Sequence, residues 1–498
     1  MRTLLLSLAL VLTPALAQAA DKEKAPAPAP QVKEEKVVTE HSVRIKGSKL
    51  SYHATTGTLV LKNEDGKPRA SFFYVAYTKD DVDNPAKRPV TFAFNGGPGS
   101  SSVWLHLGTF GPRRVQFPDA QQPANAPFDL VDNDDSILDT TDLVFIDPVG
   151  TGFSKAQGDA KGKDFWGVKA DKVAMADFIR LWLTKAERWN SPKFLAGESY
   201  GTTRSAAVVD ELEGRGVYMN GVILVSSVLD FSTVGFNPGN DLPFVTYLPS
   251  YAATAWYHDR LPNKPKDLPA FLKEVREFAG TDYAAALFKG DKLGAEEKAR
   301  IADKLHQYTG LSTDYLERTN LRIDIMRFTK ELMRDQRRTV GRLDSRFEGI
   351  DHDAAGETFE HDPSYTAIMG PYTAAFNDYV RRELNFKDDD EYQILSGKVN
   401  MSWDWGQGGW QGYTNVAEDL RHALSTNTHL KVMVANGYYD LATPFFATEY
   451  TFDHMGLEPE IAKHVSFSYY PAGHMMYVNP ESRAKLNQRV RDFIKSAY

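Results

Sequence analysis

Ser199 is the residue of this chain best placed for chemistry. It lies in Phe194-Leu195-Ala196-Gly197-Glu198-Ser199-Tyr200-Gly201, where a short apolar run enters a Gly-x-Ser-x-Gly pentapeptide and continues into helix-compatible residues. That layout is a nucleophile elbow, a tight strand-to-helix turn that exposes a serine hydroxyl. A serine hydroxyl is weak at neutral pH and needs a neighbouring base. Among twelve histidines, His474 is the candidate, placed late in the chain after an apolar run, in Ala472-Gly473-His474-Met475. It would take the serine proton and later return it to a leaving group. Asp440, in Asn436-Gly437-Tyr438-Tyr439-Asp440, would orient the imidazole and stabilise its charged form. Asp147 is the rival acid. It too follows an apolar run, but it precedes Ser199, and Pro148-Val149-Gly150-Thr151-Gly152 after it reads as a structural turn lining the site.

A developing oxyanion needs hydrogen-bond donors. One is expected from the backbone N–H of Tyr200, directly after the nucleophile. The other is expected from Gly97, in Asn95-Gly96-Gly97-Pro98-Gly99. The same glycines also read as a plain tight turn. They are no phosphate loop, because no Gly-Lys-Ser/Thr follows. Zinc chemistry is disfavoured as well. The chain has no cysteine and no His-Glu-x-x-His, and His352 and His361 sit in an acidic stretch that reads as solvated. No cofactor and no metal are expected.

Bringing these groups together requires strands that deliver them to a common edge. Val38 to Tyr77 alternates, with turn signals at Lys46-Gly47-Ser48 and Asn63-Glu64-Asp65-Gly66, and predicts antiparallel hairpins. Pro89 to Phe94 and Leu143 to Ile146 read as short strands, ending at the glycine turn and at Asp147. Trp166 to Trp189 has helical spacing, and Thr202 to Leu212 reads as the helix after the elbow, followed by a strand at Val222 to Val225. Residues 236–400 are rich in helix formers and aromatics, with helices expected at Leu268 to Phe278, Ala295 to Tyr308 and Asn320 to Arg338. Alternation resumes with Leu430 to Ala435, then Val465 to Tyr470, then a closing helix from Ser482 to Ala497. The order Ser, Asp, His is that of the α/β-hydrolases. The expected architecture is therefore α/β: an α/β-hydrolase fold with a mostly parallel central sheet, N-terminal antiparallel hairpins and a mostly helical insertion, or cap. Residues 38–235 and 401–498 would form the core and residues 236–400 the insertion.

Composition narrows the partners. The chain has 498 residues, 42% hydrophobic and 25% charged, an ordinary globular balance. A net charge of −8 with no basic cluster argues against nucleic acid or an anionic membrane surface as partner. Residues 1–19 read as a secretory signal: Arg2, an apolar core from Leu4 to Leu12, and small-x-small cleavage candidates at Ala15-Leu16-Ala17 and Ala17-Gln18-Ala19. Residues 20–37 are Ala/Pro-rich and read as a disordered tether. The expectation is a periplasmic or secreted protein with no membrane attachment after signal cleavage. Without cysteine, neither a disulfide nor a lipidated cysteine is available.

Four motifs in order carry a resemblance. They are Asn95-Gly96-Gly97-Pro98-Gly99-Ser100-Ser101-Ser102, Asp147-Pro148-Val149-Gly150-Thr151-Gly152-Phe153-Ser154, Gly197-Glu198-Ser199-Tyr200-Gly201 and Ala472-Gly473-His474-Met475. Together they resemble the serine carboxypeptidase family, peptidase family S10, in a bacterial form. The likeness runs over about residues 70–496 and is weakest in the helical insertion. It implies removal of C-terminal residues from peptides or proteins, often best at acidic pH. It also implies that Asn95, the Gly96 N–H and Glu198 grip the substrate's terminal carboxylate. Two carboxylates repel unless one holds a proton, and burial raises a carboxyl pKa, so a protonated Glu198 can donate to the substrate. Read from the residues alone, Glu198 is also simply a polar elbow residue.

The chain departs from the family pattern in places. A second acid expected about ten residues past the glycine turn is Thr109, a tryptophan expected before Asn95 is Ala93, and a cysteine expected after Pro98-Gly99 is Ser100. These departures keep an esterase or acyltransferase with the same triad open as an alternative. A non-catalytic binding protein on the same fold is the third. The aromatic stretch Trp403 to Trp410 reads either as a side-chain pocket, with Tyr200 bordering it, or as packing between insertion and core.

Overall fold

The computed structural model describes residues 32–117, 125–406 and 412–498. The segment read as a signal, residues 1–19, and most of the stretch read as a tether lie outside these residues.

Nine strands build the main sheet: β1 Lys36–Ile45, β2 Ser48–Lys62, β3 Pro68–Lys79, β4 Val90–Phe94, β5 Asp142–Ile146, β6 Lys193–Ser199, β7 Gly221–Ser227, β8 Lys431–Gly437 and β9 Val465–Tyr470. Their spatial order is β1-β2-β3-β5-β4-β6-β7-β8-β9, and a short tenth strand, Lys155–Ala156, pairs with β3. The first three are antiparallel hairpins, and β3 meets β5 antiparallel. From β5 onward the pairs are parallel. This is the α/β-hydrolase fold expected. β1 begins at Lys36, so residues 36 and 37 pair with Gly57 and Thr56 rather than continue the tether.

The parallel strands are short and apolar because both faces are covered. Alternate side chains enter opposite cores. Ile223, Val225, Met433 and Ala435 join one core, which the helix Pro480–Ser496 covers. Val222, Leu224, Val432 and Val434 join the other, beneath the helices Val168–Lys185, Tyr200–Gly214 and Ala417–Thr426.

Residues between β7 and β8 are mostly helical and form no single body. Helices Leu242–Tyr257, Leu268–Phe278 and Ala295–Thr309 share their own core. The helix Pro363–Arg382 instead packs into the core that contains Phe73 and Phe145. One expectation needs correction. The helix expected over Asn320 to Arg338 runs only from Ile325 to Glu331. Asn320 and Leu321 hold φ of 52° and 64°, and Arg338–Val340 pairs antiparallel with Glu348–Ile350. A left-handed pair cannot continue a right-handed helix. Helices Leu242–Tyr257 and Pro363–Arg382 escaped the sequence reading, since each contains an internal proline, Pro249 and Pro371.

One buried ion pair links the fold to its catalytic edge. Arg204, on Tyr200–Gly214, donates to Asp171 of Val168–Lys185 at 2.6 Å and to the Asn95 carbonyl at 2.5 Å. Both side chains are nearly inaccessible. Asp171→Ala strands a buried cation, and the expected loss is about 3–5 kcal/mol. A urea unfolding midpoint equal to wild type would refute this. Asp171→Ala combined with Arg204→Met should recover much of the loss.

Candidate active site

Parallel strands send their carboxyl ends to one edge, and ligands gather there where the strand order reverses. β4 lies between β5 and β6, so the reversal falls between β4 and β6. Asn95 follows β4 and Ser199 ends β6, on either side of that crevice. Asp440 and His474 lie three and four residues past the ends of β8 and β9. Residues nearly 380 positions apart in sequence are thereby brought to one cavity of about 720 Å³, lined by Asn95, Gly97, Glu198, Ser199 and His474.

Ser199 ends its strand and caps the helix that starts at Tyr200, with φ 61° and ψ −131°. That strained backbone points the side chain off the sheet. His474 is 4% exposed and Asp440 is fully buried. His474 Nδ1 pairs with Asp440 Oδ2 at 2.8 Å. The other polar contacts of Asp440 hold it still: Oδ1 accepts from the N–H groups of Ala442 and Thr443, and Oδ2 from the Thr443 hydroxyl. Pairing at Nδ1 keeps the proton there and leaves Nε2 as the free base. Burial alone lowers the His474 pKa, but the Asp440 carboxylate outweighs it, Glu198 adds to the effect, and the pKa lies above its ordinary value.

The glycine turn packs directly on the elbow. A Cβ at Gly96 would fall 2.4 Å from the Tyr200 nitrogen, so only glycine permits this approach. Asn95 Nδ2 donates to Glu198 Oε1 at 2.9 Å, and Asn95 Oδ1 accepts from the Leu105 N–H at 3.1 Å. Glu198 is buried, and burial pushes its pKa up to about 7, against the opposing charge of His474. Near neutral pH this carboxyl can hold a proton and donate it to an anion.

Other expected groups fall elsewhere. Asp147 Oδ1 accepts from the Ser102 N–H and hydroxyl, both at 2.8 Å, so it secures the turn after β4, while the acid on His474 is Asp440. Thr109 donates to Asn487 Oδ1 at 2.7 Å. The Tyr200 ring is buried edge-on against Trp403 and Trp405 and does not line the cavity, so its side chain borders packing rather than a pocket. Residues 407–411, in the rest of that aromatic stretch, lie outside the described residues. His352 and His361 are exposed, and no metal-holding cluster occurs among the described residues. Thr443 and Arg204 were not singled out from sequence. A threonine three residues past an acid, or an arginine inside a helix, carries no signal of its own. The far wall of the cavity comes from the insertion, through Met326, Arg342, Phe359, Tyr365, Ile368 and Leu395.

The serine carboxypeptidase family model matches residues 48–479. The chain belongs to the serine carboxypeptidase family. Serine carboxypeptidase-like 45 of Arabidopsis thaliana is 30% identical over 183 residues, which is 34% of this chain and 36% of that protein. The pheromone-processing carboxypeptidase KEX1 of Saccharomyces cerevisiae is 36% identical over 112 residues, 22% of this chain and 14% of that protein. These matches thus span little more than a third of the relatives' length, or less. The crystal structure of KEX1(delta)p, a prohormone-processing carboxypeptidase from the same yeast, superposes with a TM-score of 0.54 at 17% identity, covering 89% of this chain and 92% of that one. It shares the fold. No helix among the described residues of this family member is long and apolar enough to cross a membrane.

The Asp440 contact predicts a measurable change at His474. In Asp440→Asn the adjacent charge is gone, and only Glu198 is left to oppose the lowering effect of burial. The ring should then titrate lower than in wild type, read by NMR. A titration as high as in wild type would show that Asp440 is not what holds the proton.

Proposed function

We propose that this protein is a serine carboxypeptidase that hydrolyses the last peptide bond of its substrates through an acyl-enzyme. One observation carries the reading: the buried Glu198 carboxyl, held by Asn95, opens onto the same cavity as Ser199 and His474. A protonatable acid next to the nucleophile suits a substrate whose own carboxylate lies one residue from the scissile carbonyl.

In this mechanism Ser199 Oγ attacks the carbonyl carbon, and its proton passes to His474 Nε2. The N–H groups of Gly97 and Tyr200 stabilise the oxyanion. As the C–N bond breaks, His474 delivers that proton to the departing amine, releasing the terminal amino acid. Water then attacks the ester carbon and gives a proton to His474, which returns it to Ser199 as the shortened peptide leaves. Asp440 orients the ring and stabilises its cationic form throughout. Asn95, the Gly96 N–H and Glu198 hold the terminal carboxylate.

Esterase or acyltransferase action is the second reading. It is favoured by Thr109, whose hydroxyl is engaged by Asn487 and is absent from the carboxylate grip. Under either reading the substrate is small or extended, and residues 1–19 direct the protein to the periplasm or outside the cell. Fractionation with mass analysis of the N-terminus tests the export proposal, and protein that stays in the cytoplasm with Met1 retained would end it.

The deciding experiment follows products by mass spectrometry. Wild type should shorten a peptide with a free C-terminus residue by residue and leave its C-terminal amide nearly untouched. Ser199→Ala should lose about 10⁴-fold or more of this activity. Cleavage of simple esters without any trimming would transfer the assignment to the second reading. The pH profile has a definite sign. Activity on free-acid peptides rises as His474 loses its proton and falls as Glu198 loses its own near pH 7. The two steps belong to the pair, since each charge shifts the other. Glu198→Gln cannot ionise, so its falling limb should vanish. Persistence of that limb would remove Glu198 from the grip.

A further inference from the structure

Two buried polar atoms close to the nucleophile lack a formed hydrogen bond: Glu198 Oε2 and the Tyr477 hydroxyl. They are neighbours. The Tyr477 phenol interacts with the Glu198 carboxyl but stops short of an aligned bond. Both residues are almost wholly buried, at 3% and 1% exposure. Unpaired buried groups are uncommon, and two facing each other at a cavity wall call for a physical account.

Tyr477 reaches Glu198 from the short turn Met476–Val478, just after His474. Its ring lies over Gly108, where a Cβ would fall 2.3 Å from ring carbon Cε2 and 2.7 Å from the Tyr372 hydroxyl. Glycine at 108 therefore makes room for the phenol. Glu198 lines the cavity and Tyr477 does not, so the phenol stands behind the carboxyl. Asn95 occupies Oε1 from the other side. A proton on Glu198 accordingly belongs on Oε2. That oxygen then keeps one lone pair, and it can point its O–H inward, at Tyr477, or outward, into the cavity.

We propose that Tyr477 is a positioning residue for substrate recognition: its O–H donates to Glu198 Oε2 and thereby turns the acidic proton of Glu198 outward, toward a bound terminal carboxylate. The proposal rests on the carboxypeptidase reading and adds a residue to its substrate grip. A phenol suits this task because burial and the adjacent carboxyl hold its pKa well above the ordinary tyrosine value, so it remains a donor. The other groups acting on Glu198 are the charges of His474 and Asp440, the Asn95 amide and the Tyr372 phenol. None of these donates to Oε2.

Tyr477→Phe keeps the ring over Gly108 and deletes only the hydroxyl. For free-acid peptides KM should rise about 3- to 10-fold, the effect of one hydrogen bond, with kcat unchanged. The C-terminal amide of the same peptide should be unaffected. The falling limb of kcat/KM should move to higher pH, because a donor that stabilises ionised Glu198 has been removed. A fluorotyrosine installed at position 477 is a stronger donor and should move the limb to lower pH, which tests the assignment even if the phenylalanine variant folds poorly. Binding of the free-acid peptide to Ser199→Ala, with and without Tyr477→Phe, should weaken by the same factor as KM. Equal losses on free acid and amide, or an unmoved limb in both variants, would reduce Tyr477 to packing. Absence of any peptide trimming by wild type would instead overturn the carboxypeptidase reading itself.

Discussion

Ser199 occupies a backbone conformation that an L-residue adopts only under compulsion, with φ 61° and ψ −131° at the junction of β6 and its helix. What compels it is the packing on every side. β6 lies between β4 and β7 in the parallel sheet, so the strand cannot shift. The following helix is anchored by Arg204, which reaches both Asp171 and the carbonyl of Asn95. Gly96 fits against the Tyr200 amide from the opposite loop. One set of contacts therefore positions the serine hydroxyl, the amides beside it and the Asn95 side chain together. Relaxing the strain at Ser199 would mean moving two helices and two loops at once.

The site places two titratable groups with opposite needs in one desolvated space. For the proposed function His474 must be neutral to accept a proton, and Glu198 must be protonated to approach a carboxylate. Burial pushes Glu198 toward its neutral form, and the Asp440 carboxylate pulls His474 toward its charged form. Each group's charge stabilises the other's, so neither titrates independently. Under the proposed function, the arrangement would link recognition of a C-terminus to the proton inventory of the nucleophile's base.

The segment between β7 and β8 does two jobs. Its first helices make a separate core, which Tyr439 and Leu441 near Asp440 also join. Its later residues close over the sheet. The helix Pro363–Arg382 packs beside Phe73 and Phe145, and residues 393 and 395 bridge to Gly152 and Ser100. The buried pair of Lys330 with Asp351 ties the intervening loop, which carries Phe359 to the cavity, back to the helix Ile325–Glu331. The far wall is thus assembled from several stretches of chain, each fastened separately.

The sequence by itself determined the sheet and the chemical groups. Short apolar runs ending in Asn95, Asp147, Ser199, Asp440 and His474 can be read because strand periodicity and turn glycines are local signals. Their order along the chain then sets a fold in which those ends meet. Tertiary structure alone decided which acid serves which base: Asp147 went to Ser102 and Asp440 to His474. It also decided the two proline-containing helices, where burial overrides a poor local propensity, and the broken helix near Asn320. The Tyr200 ring went to packing for a similar reason, since Trp403 and Trp405 meet it edge-to-face. The partnership of Tyr477 with Glu198 lies furthest from local reading. It depends on the space left by Gly108, hundreds of residues away in the chain, and no spacing rule encodes a contact that exists only once the core has closed.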